Sequence, residues 1–171
     1  MADSSRCADI FFFAESQQLP EFWRSLFILE SVVEGEFFSL GALAFPQVVL
    51  HPDLSFQRFD GSYESLRDRV VPILSALSDH FAAELDRCHG LPYDVQAAFG
   101  HYRVDLSPES PNTRKSERLM RLRDVVYGGE VYRCEWHAKL EPHRNRIHFA
   151  VPHHSLGGKI LVGIFVAHLV T

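Results

Sequence analysis

The clearest hydrophobic pattern in the chain lies between Tyr63 and Cys88. Leu66, Val70, Ile73, Leu74, Leu77, Phe81 and Leu85 recur at helical spacing and form one broad apolar stripe. Ser62 or Ser65 suits the N-cap, and Glu64 sits in the first turn. Pro72 is expected to kink this helix or split it in two. A second helix is expected over PEFWRSLFILESVV, with Pro20 in its first turn, Phe22, Leu26, Leu29 and Val32 on one face, and Gly35 as its end. Pro92 to Gly100 reads as a short third helix.

Alternating or wholly apolar runs predict the strands. Asp9–Ala14 reads as a short buried strand. Glu36–Leu50 reads as two short strands or one bulged edge strand broken at Pro46. Asp53–Phe59 and Tyr102–Leu106 are further candidates. Ser107–Lys115 (SPESPNTRK) is polar and proline-containing, and reads as a surface loop. Glu117–Val125 is a helix or an extended lead-in to the turn at Gly128-Gly129. Three strands then follow: Val131–Leu140, Asn145–Val151 after a turn over Glu141–Arg144, and Lys159–Val170 after a loop over Pro152–Gly158. The last is almost wholly apolar, which places it centrally with both faces covered. These elements predict one α+β domain over residues 1–171, an antiparallel β-sheet with helices packed on one face and a C-terminal three-stranded meander.

Composition narrows the class. The 171 residues are 46 % hydrophobic and 23 % charged, as in an ordinary globular chain, and 14 Phe point to an aromatic-rich core. Cys7, Cys88 and Cys134 are odd in number and far apart, which favours free thiols in a reducing, cytoplasmic setting. The N-terminal apolar run is too short and acidic for a signal peptide, and no segment reads as a membrane span. The charge is unevenly spread. Residues 1–112 carry 7 Lys/Arg against 17 Asp/Glu, and residues 113–171 carry 10 against 5. An anionic ligand is therefore expected at the C-terminal part.

Strand alternation places candidate chemistry there. Glu135, His137 and Lys139 share one face of their strand, opposite Cys134, Trp136, Ala138 and Leu140. Arg144, Arg146 and His148 share a face of the next, opposite Ile147, Phe149 and Val151. With a turn centred near Pro142-His143, His137 stands opposite His148 and Lys139 opposite Arg146. Two histidines supply a base and an acid near neutral pH, and Lys139 and Arg146 supply positive charge for a phosphorane. This set suits metal-independent RNA cleavage without any cofactor. Arg133, Arg144, Glu135 and His168 are expected around it as RNA contacts, with Glu135 also able to orient His137. His143, His153 and His154 lack the spacing of a metal site. The plain alternative is a solvated basic strand face that binds RNA or protein without chemistry.

The stretch SERLMRLRDVVYGGEVYRCEWHAKLEPHRNRIHFAVPHHSLGGKILVGIFVAHL resembles the C-terminal part of the RelE/HigB superfamily of bacterial toxin ribonucleases. The resemblance runs through Leu122-Arg123-Asp124 before the glycine turn, Cys134–Leu140, Asn145–Phe149 and Ile160–Phe165. It implies a small antiparallel sheet with helices on one face, with residues 51–171 as the toxin-like portion and 1–50 as an extension. It also implies endoribonuclease activity, often on ribosome-bound mRNA, in a toxin–antitoxin or defence setting with a cognate antitoxin. Lys139 and Arg146 match the family's basic positions, and His137 and His148 match histidines that some members use. The chain differs in its length, its acidic balance and its His168-Leu-Val-Thr ending. The acidic N-terminal part is expected to cover the basic face, as a built-in inhibitor or a homodimer contact.

Overall fold

The computed structural model describes residues 18–29 and 32–169, so the expected strand at Asp9–Ala14 lies outside the described residues. Helices α1 (Leu19–Leu29) and α2 (Glu34–Ala44) lead into strand β1 (Val48–Leu50). A single 3₁₀ turn (Phe56–Arg58) precedes the long helix α3 (Tyr63–Arg87) and then α4 (Pro92–His101). Strand β2 (Asp105–Pro108) is followed by two four-residue helices, α5 (Pro111–Arg114) and α6 (Glu117–Met120). A hairpin of β3 (Asp124–Tyr127) and β4 (Glu130–Arg133) precedes β5 (Trp136–Lys139), β6 (Arg146–His153) and β7 (Lys159–Val166).

The fold is α+β, and β5-β6-β7 form the antiparallel meander. The main sheet has the order β1-β7-β6-β5-β2 and is mixed rather than purely antiparallel, because β1 runs parallel to β7. The α2 segment between β1 and the chain start delivers β1 from the same end as β7, which makes the parallel edge. β7 is an interior strand, as its continuous apolar run requires.

Helix α2 corrects the strand reading of Glu36–Leu50. Its Phe-rich sequence has β propensity, but Phe37, Gly41 and Ala44 are buried at a helical repeat. Gly41 lets the helix settle on β1, since a Cβ there would come within 2.5 Å of Leu50 Cδ1. Gly35, read as the end of the preceding helix, lies inside α2. Asp53–Phe59 likewise forms the 3₁₀ turn rather than a strand; Ser55 caps it by accepting from Gln57 N. Helix α3 runs unbroken through Pro72, held by the buried Val71, Ile73 and Leu74 around it, and Ser62 is its N-cap.

Helices α1–α4 cover one sheet face. Phe27, Phe37, Phe56, Phe81 and Phe99 meet Trp136, Ile147 and Phe149 of the strands in one core. Arg24 anchors α1 to α3 through two bonds to Asp79 and donates to Ala44 O of α2. The described part of the first fifty residues thus lies on the helical side, opposite the basic strand face. It does not cover that face. On the other side, a smaller core of Tyr132, Cys134, Ala150 and Leu161 lies under the β3–β4 hairpin. Gly163 of β7 permits this close approach, because a Cβ would meet Cys134 Sγ at 2.5 Å and Val125 at 2.9 Å. Among the described residues no helix is long and apolar enough to cross a membrane.

Candidate functional site

The expected register between β5 and β6 is present. His137 pairs with His148 and Lys139 with Arg146, while Trp136 pairs with Phe149 on the core side. Asn145 sets this register. It adopts φ +59°, a conformation asparagine tolerates, and is fully buried. Its side chain accepts from Asp60 N at 2.8 Å and donates to Asp60 O at 2.9 Å. Its backbone ties Leu140 to the end of β7 through Ala167. Asn145 therefore fixes where β6, and with it Arg146 and His148, begins.

The polar strand face is not solvated. His137 is 9 % and His148 1 % exposed. The segment after β2 covers them, and it is there that the surface-loop reading of Ser107–Lys115 fails. Ser107 pairs with His137 across β2–β5, and Glu109 N donates to Glu135 O at 2.8 Å, so the strand pairing continues one residue further. Alternation then places Glu109 beside Ser107 on the histidine face. Glu109 is 4 % exposed, and Arg123, fully buried, donates Nε–H to Glu109 Oε1 at 2.8 Å and Nη1–H to Leu119 O at 2.9 Å. The Val131–Leu140 strand splits here because Cys134 N turns to Arg123 O and Glu135 O to Glu109. That break also puts Cys134 on the hairpin side rather than beside Trp136.

A pocket of about 230 Å³ opens over Ser107, Glu109, Arg123, His137, Arg146 and His148. The two imidazole centroids are 5.1 Å apart. Glu109 Oε1 lies 3.9 Å from His137 Nδ1 and 3.7 Å from His148 Nδ1. These are too long for hydrogen bonds. His137 Nε2 lies 3.3 Å from Ser107 Oγ. Both nitrogens of His148, Nδ1 of His137 and Nη1 of Arg146 are buried with no hydrogen-bond partner among the described residues. One ligand atom from each of Glu109, His137 and His148 lies within 4.8 Å of the others, the only such cluster among the described residues.

Burial drives the histidine basicity down. Desolvation of the imidazolium pushes His137 to about 4; Glu109 opposes the shift, while Arg146, Lys139 and Arg123 add to it. His148 is lowered by the same desolvation, reinforced by His137 and Arg123. Both rings are neutral at pH 7.

The remaining candidates stand elsewhere. Lys139 Nζ is held by both oxygens of Asp105 at 3.1 Å. Arg144 pairs with Asp60 at 2.6 Å and with Glu141; the left-handed Asn145 between it and Arg146 breaks the alternation that put it on the site face. Arg133 is bound by Asp124 and Glu117, which raise its already high basicity. Glu135 faces Arg114 at 3.6 Å. His168 is exposed beyond the end of β7. The structure thus brings together His137, His148 and Arg146, and adds Glu109 and Arg123. Alternation would have found Glu109 had the strand been carried through Pro108. Arg123 carried no signal of its own beyond its place in the lead-in.

No family model, curated protein or solved structure matches the chain.

Proposed function

We propose that the protein is a ribonuclease that cleaves the RNA chain at the His137–His148–Arg146 pocket. One observation carries this reading: four buried nitrogens on three side chains face one pocket without a hydrogen-bond partner. Each such group costs roughly 1–3 kcal/mol when left unsatisfied, and a fold retains such a cost where a ligand supplies the partners. Arg146 is the cation placed to hold a phosphate. Arg123 stands behind it but is neutralised by Glu109. The neutral imidazoles contribute lone pairs that activate a nucleophile, not the imidazolium acid of a paired acid–base mechanism. RNA carries its own nucleophile, the 2′-hydroxyl. One neutral imidazole takes the 2′-hydroxyl proton as that oxygen forms its O–P bond, the P–O5′ bond breaks, and the imidazolium so formed gives the proton to O5′, while Arg146 stabilises the charge that builds on the phosphoryl oxygens.

The resemblance to toxin ribonucleases supports RNA as the polymer, and with it a cognate antitoxin as protein partner. The ion pairs on Lys139, Arg144 and Arg133 leave a narrow cationic site rather than a broad basic surface. The reading is tested with a labelled single-stranded RNA and the DNA of the same sequence. Cleavage of RNA alone, lost in Arg146→Ala and in His137→Ala, is expected. Absence of RNA cleavage by the wild-type protein, or full cleavage by both variants, sinks it.

A further inference from the structure

We infer that Glu109, His137 and His148 form a binding site for one divalent d-block cation of the zinc class, with a fourth position open to the pocket for an anionic oxygen. The metal site stands on its own geometry and rests on the ribonuclease reading only in taking RNA phosphate as that oxygen's source.

Three electron-pair donors converge. Glu109 Oε1 is 3.9 Å from His137 Nδ1 and 3.7 Å from His148 Nδ1. Around a tetrahedral ion with bonds of roughly 2.0–2.1 Å, ligand atoms stand about 3.4 Å apart. The two carboxylate–imidazole separations therefore need to close by only about half an ångström, and the three donor atoms all lie within 4.8 Å of one another. Both Nδ1 atoms are buried without a hydrogen-bond partner among the described residues, and their separation from the carboxylate is too long for a hydrogen bond. An anion at that centre would meet the Glu109 carboxylate, so the occupant is a cation.

The donor set chooses the kind of cation. Two imidazoles and one carboxylate suit zinc, cobalt or iron, whereas magnesium and calcium prefer oxygen donors throughout. Two-histidine, one-glutamate sets with an open fourth position are the pattern of hydrolytic zinc centres. The supporting contacts fit as well. Arg123 donates to Glu109 Oε1, which retains lone pairs for a metal, since an ionised carboxylate offers about four. Ser107 Oγ beside His137 Nε2 takes the N–H of the tautomer that leaves Nδ1 free. The charges complete the picture. Glu109 is already balanced by Arg123, so a bound dication beside Arg146 leaves the pocket strongly positive and calls for an anionic ligand. With both Nδ1 lone pairs held as ligand bonds, the cation rather than a free imidazole activates the oxygen nucleophile and polarises the phosphate that Arg146 holds, in place of the imidazole-base route above.

The test uses the full chain, stripped with a chelator, dialysed and titrated with Co²⁺. Visible d–d bands of tetrahedral cobalt saturating at one equivalent are expected, displaced by Zn²⁺ but not by Mg²⁺. His137→Ala and Glu109→Gln should each weaken cobalt binding by at least about 100-fold, the upper end of what an outer-shell partner costs. His137→Ala serves if Glu109→Gln, which removes a buried charge partner of Arg123, does not fold. The double variant His153→Ala/His154→Ala should bind as wild type. Absent bands, bands unchanged in His137→Ala, or bands lost with His153 and His154 overturn the site. Cobalt bound with these properties but no RNA cleaved keeps the metal site and removes the ribonuclease reading. RNA cleaved at full rate in chelator keeps the ribonuclease reading and overturns RNA phosphate as the cation's oxygen ligand in catalysis.

Discussion

Replacing Glu109 by glutamine should destabilise the fold more than any surface charge change. The substitution preserves shape but removes the carboxylate charge that faces the fully buried Arg123 guanidinium. Arg123 keeps its bond to Leu119 O, so it cannot swing to solvent without releasing the turn between α6 and β3. Breaking one side of a buried pair costs about 3–5 kcal/mol. A domain of this size has roughly 5–15 kcal/mol in all, and at a urea slope of about 1–3 kcal/mol per molar the midpoint should fall by on the order of 2 M. Arg123→Met on the same background removes the guanidinium that the carboxylate faced, so the double variant should recover much of the loss. A coupling energy of about 2 kcal/mol or more is expected from the cycle. Urea denaturation of the four proteins in chelator measures this directly. A Glu109→Gln loss under about 1 kcal/mol, or a double variant that simply adds the two single losses, would refute the description of Glu109–Arg123 as a buried structural pair.

Three further outcomes follow from the same contacts. Asn145→Ala forfeits two hydrogen bonds to Asp60 and places a Cβ residue at φ +59°; a loss of about 2–4 kcal/mol is expected in thermal or urea unfolding, and less in Asn145→Gly, which accepts that φ. Gly163→Ala drives a methyl against Cys134 Sγ and Val125 and should cost about 1–3 kcal/mol, partly recovered in Cys134→Ala/Gly163→Ala. In chelator, stability should fall with acidification from pH 6.5 toward 4: His137 stays neutral in the fold down to about 4 while the unfolded ring binds a proton below 6.5, which amounts to about 3 kcal/mol for this group. That decline should be shallower in His137→Ala, and an equal slope in both proteins would contradict the burial assigned to this ring.

The β5–β6 register was legible because alternation, a short turn and two apolar partners, Trp136 and Phe149, all agree on one pairing. The stripe from Leu66 to Phe81 was legible for the same reason, a period that only one element satisfies. Helix α2 was not, because Phe37 and Phe38 carry strand-like residue preference and the packing that favours the helix comes from β1 and α1. The site face was half legible. Alternation puts His137, His148 and Arg146 together, but whether a polar face meets water or another segment is a tertiary fact. Glu109 lies 28 positions before His137, and two prolines beside it give it the local signature of a loop. Lys139 and Arg144 illustrate the converse limit: their face or position was readable, but the Asp105 and Asp60 that neutralise them come from distant segments.

The most direct test of the central claim is single-turnover cleavage of a 5′-labelled RNA by zinc-loaded protein, compared among wild type, Arg146→Ala and the double variant His153→Ala/His154→Ala. Wild type and the histidine double variant should cleave at similar rates. Arg146→Ala should lose at least about 100-fold, in line with removal of one transition-state donor. An Arg146→Ala rate equal to wild type, or RNA left intact by the wild-type protein, would contradict it.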